Sequence, residues 1–462
     1  MGRAEPQINT VGIQQSQHTD SDAAAGVSPL VAISTQAKAQ DARLNDAGSG
    51  WRPDPMRPGG EMIPRTGWDI SPYNQWTWQR VRDWTPTASI WRGQGPALPL
   101  PERLSDIDGI EFETNGRRSN IRQFLESSFT DGFLVLSRGE IVAETYMNGM
   151  EPHCQHLAMS VSKSITGALF GILVHKGLID TDSLVTRYLP ELEATAYRGA
   201  KVQHLLDMAA GVKYAIANTK THIDEQLKPA AAWWKNEHIE KLAMGWWPMD
   251  YAKYPDYPKN TWEIILRLAE QEAPHGARFS YRGIESDVLG FIMQRVTGKM
   301  LPELFSSELW VPMGAEEDAY VTVDQAGFAL TDGGFNATLR DYARFALLHL
   351  RGGKLNGKQI IPLEWIETTR GASDDLFRIF GESGERPHMP EGAYHNTFWI
   401  EDAKRRAFTC RGYGGQLIYM DPQADFAAVK LSHFPDDGAL STRLTLEALA
   451  AIHAIRDELM RG

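Results

Sequence analysis

The chain has little with which to cross-link itself, span a bilayer or grip a polyanion. Its 462 residues include two cysteines, Cys154 and Cys410. That is too few for a disulfide framework, so the expected setting is a reducing one, the cytoplasm, with free thiols. No apolar stretch approaches the ~20 residues of a membrane-spanning helix. The longest run near the start, Pro29-Leu30-Val31-Ala32-Ile33-Ser34, is too short for a secretory core, and Met1-Gly2 lacks the Ser or Thr at the sixth position used in myristoylation. Acidic residues outnumber basic ones, 59 to 47, for a net charge of -12. No basic block offsets that balance, so neither nucleic acid nor an anionic membrane is an expected partner. There is no Gly-x-Ser-x-Gly, which argues against an α/β-hydrolase, and no Walker-type loop. His222 and Asp224 resemble a metal pair but have no third or fourth ligand at zinc-site spacing, so no metal or cofactor is expected. No internal repeat is present.

What is there suits a globular enzyme. The 42% hydrophobic content supplies ample core, and the length fits two or three domains or one catalytic unit with an insertion. Residues 1–50 are rich in Ala, Ser, Gln, Thr, Asp and Gly without apolar periodicity, and read as a disordered tail. Residues 51–107 bring Pro, Arg and scattered tryptophans (Trp68, Trp76, Trp78, Trp84, Trp91), a segment expected to wrap a folded body with the indoles as anchors. Phe133–Leu136 and Ile141–Tyr146 form a hairpin through Arg138-Gly139. Ile165, Leu169, Ile172 and Leu173 recur at helical spacing, stopped by Lys176-Gly177. Residues 181–310 read as mainly helical, with an aromatic interruption containing Trp233-Trp234, Trp246-Trp247, Tyr251, Tyr254 and Tyr257. Asn396–Ile400, Phe408–Met420 and Phe426–Phe434 alternate as strands, and a last helix covers about Leu440–Met460. Strands at both ends of the chain predict an α/β fold of the α+β kind: one antiparallel sheet in residues 108–180 and 311–462, flanked by helices, with a helical insertion.

Ser160-Val161-Ser162-Lys163 puts a hydroxyl and an amine one helical turn apart, about 5–6 Å between Cβ atoms. A desolvated lysine so placed can take the serine proton and make a nucleophile. The tetrapeptide alone is weak, since about one Ser-x-x-Lys is expected by chance in such a chain, and by itself an N-cap serine followed by a solvent-facing lysine is the better explanation of it. Two further features weigh for chemistry. Tyr281, in Phe279-Ser280-Tyr281-Arg282-Gly283 before a predicted helix, can carry a proton between nucleophile and leaving group. Gly412-Tyr413-Gly414-Gly415 places glycines inside a predicted strand, where close approach of a substrate to the backbone, or a bulge, accounts for them. The aromatic interruption reads as a lid over an apolar substrate or as ordinary loop packing. Cys154 precedes the serine and Cys410 lies on the strand proposed to face it, so the two thiols could approach each other.

His156-Leu157-Ala158-Met159-Ser160-Val161-Ser162-Lys163-Ser164, the Tyr281 loop and Gly412-Tyr413-Gly414-Gly415-Gln416 come in the order of the class C β-lactamase-like serine hydrolases. That superfamily takes in penicillin-binding proteins, some carboxylesterases and nylon-oligomer hydrolases. From about residue 70 onward the chain most resembles the 6-aminohexanoate-dimer hydrolases, with support from Leu205-Leu206-Asp207-Met208, Ser286-Asp287-Val288-Leu289, Arg295-Val296-Thr297-Gly298, Asp332-Gly333-Gly334 and Arg340-Asp341-Tyr342-Ala343-Arg344. The resemblance implies a β-lactamase/transpeptidase-like fold, Ser160 as nucleophile, Lys163 as its base, Tyr281 as second acid/base, and an oxyanion hole from the backbone N–H groups of Ser160 and Tyr413. Asp332, Gly414, Trp246 and Trp247 are the expected substrate contacts.

The chain departs from those relatives in places. Cys410-Arg411-Gly412 stands where β-lactamases and transpeptidases carry Lys-Thr-Gly, whose cation helps hold the substrate carboxylate. Tyr281-Arg282-Gly283 replaces Tyr-x-Asn. Glu285 and Asp332 stand where nylon-oligomer hydrolases have Asn, and Ala215-Ile216-Ala217-Asn218 omits their second substrate-site tyrosine. The expectation is a serine hydrolase of small linear amides or esters, working without cofactor on a small-molecule substrate, with a homodimer left open. A carboxylesterase of the same fold and a catalytically silent penicillin-binding-like module are the alternatives.

Overall fold

The computed structural model describes residues 63–214, 241–252, 255–385, 389–402, 404–435 and 438–461. The expectations for the tail, for His222 and Asp224, for Trp233, Trp234 and Tyr254, and for residues 215–218 lie outside them.

The first hairpin forms where alternating apolar residues meet a turn of the right hand. Strands β1 (Thr130–Ser137) and β2 (Glu140–Tyr146) are joined by Arg138 and Gly139. Both have positive φ, 56° and 84°, which matches the twist of a two-residue hairpin loop. Five strands follow from the far end of the chain: β3 (Ala393–His395), β4 (Phe398–Asp402), β5 (Ala407–Gly412), β6 (Gln416–Asp421) and β7 (Phe426–Ser432). The sheet runs β3-β4-β5-β6-β7-β1-β2, antiparallel throughout. Its closure is the β7–β1 pairing, with Phe426 opposite Ser137 and Lys430 opposite Phe133.

Both faces of the sheet are covered. Leu134 and Leu136 of β1 point into the main core with Ile165, Leu169, Tyr342 and Phe345, from helices α1 (Val161–His175) and α3 (Leu339–Leu350). The intervening Phe133 and Val135 meet Leu449, Ile452 and Ile455 of the C-terminal helix α4 (Gly438–Arg461) on the other side. Residues alternate between faces with period two, so a strand buried on both must be apolar at nearly every position. Each large side chain buried this way contributes roughly 1.5–3 kcal/mol. Between α1 and α3 lie short helices (Val185–Tyr188, Val202–Leu206, Thr261–Leu266) and the longer α2 (Gly283–Thr297).

Three expectations need correction. Residues 408–420 are not one strand: Tyr413–Gly415 make a tight turn between β5 and β6. Gly414 there has φ 72°, and a Cβ on it would stand 2.2 Å from the Trp78 ring, so only glycine fits. Strand β4 starts at Phe398 rather than Asn396, because Asn396 and Thr397 turn through φ of 48° and 70°. The sequence reading also missed a second sheet of four short strands, in the order Thr87–Ile90, Ala319–Thr322, Phe335–Ala337, His156–Leu157. Strands this short carry no readable alternation.

Trp68, Trp76, Trp78 and Trp84 are buried in the main core, while Trp91 is 54% exposed. No helix among the described residues is long and apolar enough to cross a membrane.

Candidate active site

The strand His156–Leu157 feeds α1 through a strained step. Met159 has φ 47°, a left-handed conformation that costs a non-glycine residue of order 1 kcal/mol and turns the chain sharply. Ser160 follows at the N-cap with φ -67° and makes no side-chain cap. Its hydroxyl instead accepts from Lys163 Nζ at 2.9 Å. Lys163 is 2% exposed, its stem enclosed by an α1 that is buried through Leu173. The capping serine and solvent-facing lysine of the alternative reading are therefore not what the fold builds.

Three neighbours fix the amine. Nζ also donates to the Asp332 carbonyl and lies 5.3 Å from the centre of the Tyr281 ring. The turn holding that carbonyl is organised by Asp287, whose Oδ1 accepts from Thr331 N (2.9 Å), Thr331 Oγ1 (2.9 Å) and Asp332 N (3.2 Å). Ser162, between the pair, accepts from Phe335 N at 3.0 Å. Loss of hydration pushes the Asp332 carboxyl up, with the Lys163 ammonium pulling the other way.

Tyr281 sits on the loop before α2, anchored where Ser280 N donates to the Met208 carbonyl at 2.8 Å. Its ring packs on Trp399 at 5.1 Å and edge-on to Tyr394 at 5.8 Å. Beneath the loop Arg282 pairs with Glu272 and lies 3.7 Å from buried Glu285. Burial pushes the Glu285 carboxyl up to about 8 despite that guanidinium.

Opposite Ser160 runs the end of β5. A Cβ on Gly412 would stand 2.4 Å from the Ala158 carbonyl, so glycine lets this strand lie against the segment entering Ser160. Tyr413 follows, 37% exposed, with Trp78 packed edge-on beneath it at 6.3 Å. Ser160, Tyr281, Trp399, Arg411 and Tyr413 line a cleft of about 400 Å³, closed on one side by Ser441, Thr442 and Thr445 of α4. Arg411 Nε donates to Thr409 Oγ1 at 3.0 Å and the guanidinium lies 5.5 Å from the Trp399 ring centre. Its Nη2 is sealed from solvent and has no hydrogen-bond partner among the described residues. Burial lowers its pKa, while Glu401 and Glu385 act to raise it.

The expected substrate contacts fare differently. Asp332 is beside Lys163 but acts through its main-chain carbonyl. Gly414 is buried against Trp78 and does not line the cleft. Trp246 and Trp247 do not line it either. Both are buried, with Trp247 Nε1 donating to Asp69 at 2.7 Å and Trp68 Nε1 to the Trp246 carbonyl at 2.7 Å. They are packing residues, because the 63–84 segment covers them. Cys154 and Cys410 are both free thiols, and burial pushes Cys410 up to about 12. Among the described residues no group of three or more His, Cys, Asp or Glu could hold a metal ion. Sequence reasoning missed Trp399 and the α4 hydroxyls. It noted Arg411 only as the place where Lys-Thr-Gly is lost; the usable signal was a cation in an otherwise apolar strand.

A buried serine–lysine pair at a helix head, a tyrosine on the facing loop and a strand end laid against the serine's approach segment are the arrangement of a serine hydrolase with the β-lactamase/transpeptidase-like fold. The chain belongs to the β-lactamase family, whose model matches residues 118–452, and it is a serine hydrolase of the amidase/esterase type. It is 32% identical over 394 residues to the 6-aminohexanoate-dimer hydrolase of Paenarthrobacter ureafaciens, covering 84% of this chain and 94% of that one. A solved Bacillus anthracis structure, provisionally named for the same activity, is 28% identical with a TM-score of 0.74, covering 85% of this chain and 97% of that one. Simvastatin synthase (LovD) from Aspergillus terreus shares the fold, at 16% identity and a TM-score of 0.52 over 74% of this chain and 97% of its own.

Proposed function

We propose that this protein hydrolyses small linear amides of the 6-aminohexanoate-oligomer type through an acyl-enzyme on Ser160. The observation that carries the reading is the 2.9 Å separation of Lys163 Nζ from Ser160 Oγ in a site closed to water on the lysine side. The neutral amine takes the hydroxyl proton as Oγ attacks the carbonyl carbon. The resulting oxyanion accepts from the N–H groups of Ser160 and Tyr413, aided by the positive end of α1. Tyr281 passes a proton to the departing amine. Lys163, neutral again once its proton has passed through Tyr281 to the amine, takes a proton from the water that attacks the ester carbonyl and returns it to Ser160 Oγ as the acid leaves.

Arg411 supports substrates bearing a carboxylate, since a desolvated guanidinium with an unpaired Nη2 gains most from an anion. The same machinery serves a carboxylesterase, so comparing turnover of the linear 6-aminohexanoate dimer with that of p-nitrophenyl esters tests the proposal. Turnover of the esters alone would sink the amidase reading. A fluorophosphonate that labels wild type but not Ser160→Ala is expected; an unlabelled, folded wild type would favour the silent module. The proposal extends to a cytoplasmic enzyme, from two free cysteines and a net charge of -12, acting without a nucleic-acid or membrane partner.

A further inference from the structure

We propose that the two N–H donors of the oxyanion hole are held in register by one buried polar tie, with Gln416 and Asp131 as its positioning residues. The inference rests on reading the Ser160 and Tyr413 N–H groups as that hole. The Tyr413–Gly415 turn begins where the β5–β6 ladder ends, the last pair being Gly412 with Gln416. Ladder bonds therefore do not fix Tyr413. The Gln416 side chain, 1% exposed, fills the turn instead. Its Nε2 donates to the carbonyls of Tyr413 (3.2 Å), Gly414 (3.2 Å) and Ser432 (2.6 Å), and its Oε1 accepts from Ser432 N (3.1 Å). The turn is thus stapled to the last residue of β7.

The next residue carries the tie onward. His433 Nδ1 lies 2.8 Å from Asp131 Oδ1, and His156 Nε2 lies 3.0 Å from Asp131 Oδ2. His156 begins the segment that runs through Met159 into Ser160. One carboxylate therefore joins the segment that leads into Ser160 to the end of β7, which Gln416 in turn staples to the Tyr413 turn. Asn148 Nδ2 adds a bond to Oδ1 at 3.1 Å, and Lys430 Nζ bonds the Ser128 carbonyl (3.1 Å) and Ser432 Oγ. Burial would raise the Asp131 carboxyl, but His433 and His156 outweigh it and hold it at about 2, so the carboxylate stays ionised across neutral pH.

Fixing the sheet does not require this assembly, since the apolar faces already pair β7 with β1. Buried charge costs several kcal/mol per ion unless it is paired, and here the paired groups lie on the segment leading into Ser160 and at the end of β7, to which the turn is stapled. Donors must meet the developing oxyanion within a fraction of an ångström, and a misplacement of about 1 Å can cost ~10²-fold in rate.

Gln416→Met and Asp131→Asn, each normalised to the fraction of Ser160 titrated by a fluorophosphonate, test the tie. The measurements are single-turnover acylation, KM, and inhibition by phenylboronic acid, whose tetrahedral adduct presents an oxygen to the hole. We expect acylation and boronate affinity to fall together, about ten- to hundred-fold, while KM stays within about threefold. Gln416→Glu, which keeps the acceptor and loses the donors, should fall between. Variants that acylate and bind boronate within about twofold of wild type would overturn the tie, even with a lowered melting temperature, because their role would then be stability alone. Should Asp131→Asn fail to fold, Gln416→Met decides. A wild type that resists labelling would sink the acyl-enzyme reading and the tie with it; normal labelling with unaffected variants would sink only the tie.

Discussion

Ser160 and Lys163 meet because a helix brings residues three apart onto one face, and because the helix that carries them is buried. The first condition lies in the sequence; the second takes the amine out of solvent, as its proposed role as base requires. Ser160→Ala should lower kcat/KM by about 10⁴-fold or more. Lys163→Ala should come close to it, since the serine keeps its place but loses its base. Tyr281→Phe should separate substrates: roughly 10²–10⁴-fold loss on amides, whose leaving amine needs a proton, and far less on p-nitrophenyl esters, whose phenolate leaves unaided. Equal losses on both would mean Tyr281 acts before bond cleavage. Arg411→Met should weaken binding of carboxylate-bearing amides by about 10–100-fold in KM, the loss of a charge-assisted hydrogen bond worth ~1.5–3 kcal/mol. Assaying the linear dimer against its C-terminal methylamide checks this, and an unchanged ratio of the two would argue against an anion site.

At the scale of elements, the Tyr413–Gly415 turn depends on the close approach of β5 as well as on the hydrogen bonds Gln416 makes to it. Gly412 allows β5 within reach of the Ala158 carbonyl, and Ala158 stands two residues from the nucleophile. Gly412→Ala should push the strand outward and lower kcat by about 10²-fold with little change in KM. Single-turnover acylation measures that, and an undisturbed rate would show that the strand end does not set the hole. The glycines here were visible in the sequence as a strand that ought to fail, which it does, by breaking into a hairpin. Their partners were not visible. Trp78, some 330 positions earlier, packs under Gly414 and Tyr413, and no local pattern announces a contact of that range. The long elements β1, β2, α1 and α4 were legible because their apolar residues repeat with a clear period over a full element. The second sheet was not, because two to four residues carry no period.

For the whole molecule, charge inside the core sets a pH dependence. Lys430 in β7 is fully buried, and burial lowers its pKa to about 7, with Asp131 opposing. The unfolded lysine titrates near 10.4, so between these values the unfolded chain holds a proton that the folded protein has shed. Stability contributed by this group therefore rises as pH climbs from about 7 towards 10, by a few kcal/mol at most. Lys430→Met should remove that rise and be the more stable protein near pH 7. Urea denaturation of both proteins at pH 7 and pH 10 measures it, and a constant gap between them would contradict the assignment. Family membership and the reaction class are also properties of the whole chain, since the match extends from residue 118 to residue 452 and takes in both halves of the sheet.

The sequence by itself determined the candidate serine, lysine and tyrosine of the site, the family and the kind of sheet that holds them. Those depend on residue type at short spacing and on long periodic runs, which survive in one dimension. Only the tertiary structure decided which aromatics line the cleft and which fill the core. It moved Trp246, Trp247 and Gly414 into packing, set Arg411 in the wall of the cleft, and gathered Asp131, His156, Gln416 and His433 behind the Tyr413–Gly415 turn. Each of those outcomes depends on chain segments far apart in sequence, and the exposure of a side chain is set by what folds over it rather than by its neighbours along the chain.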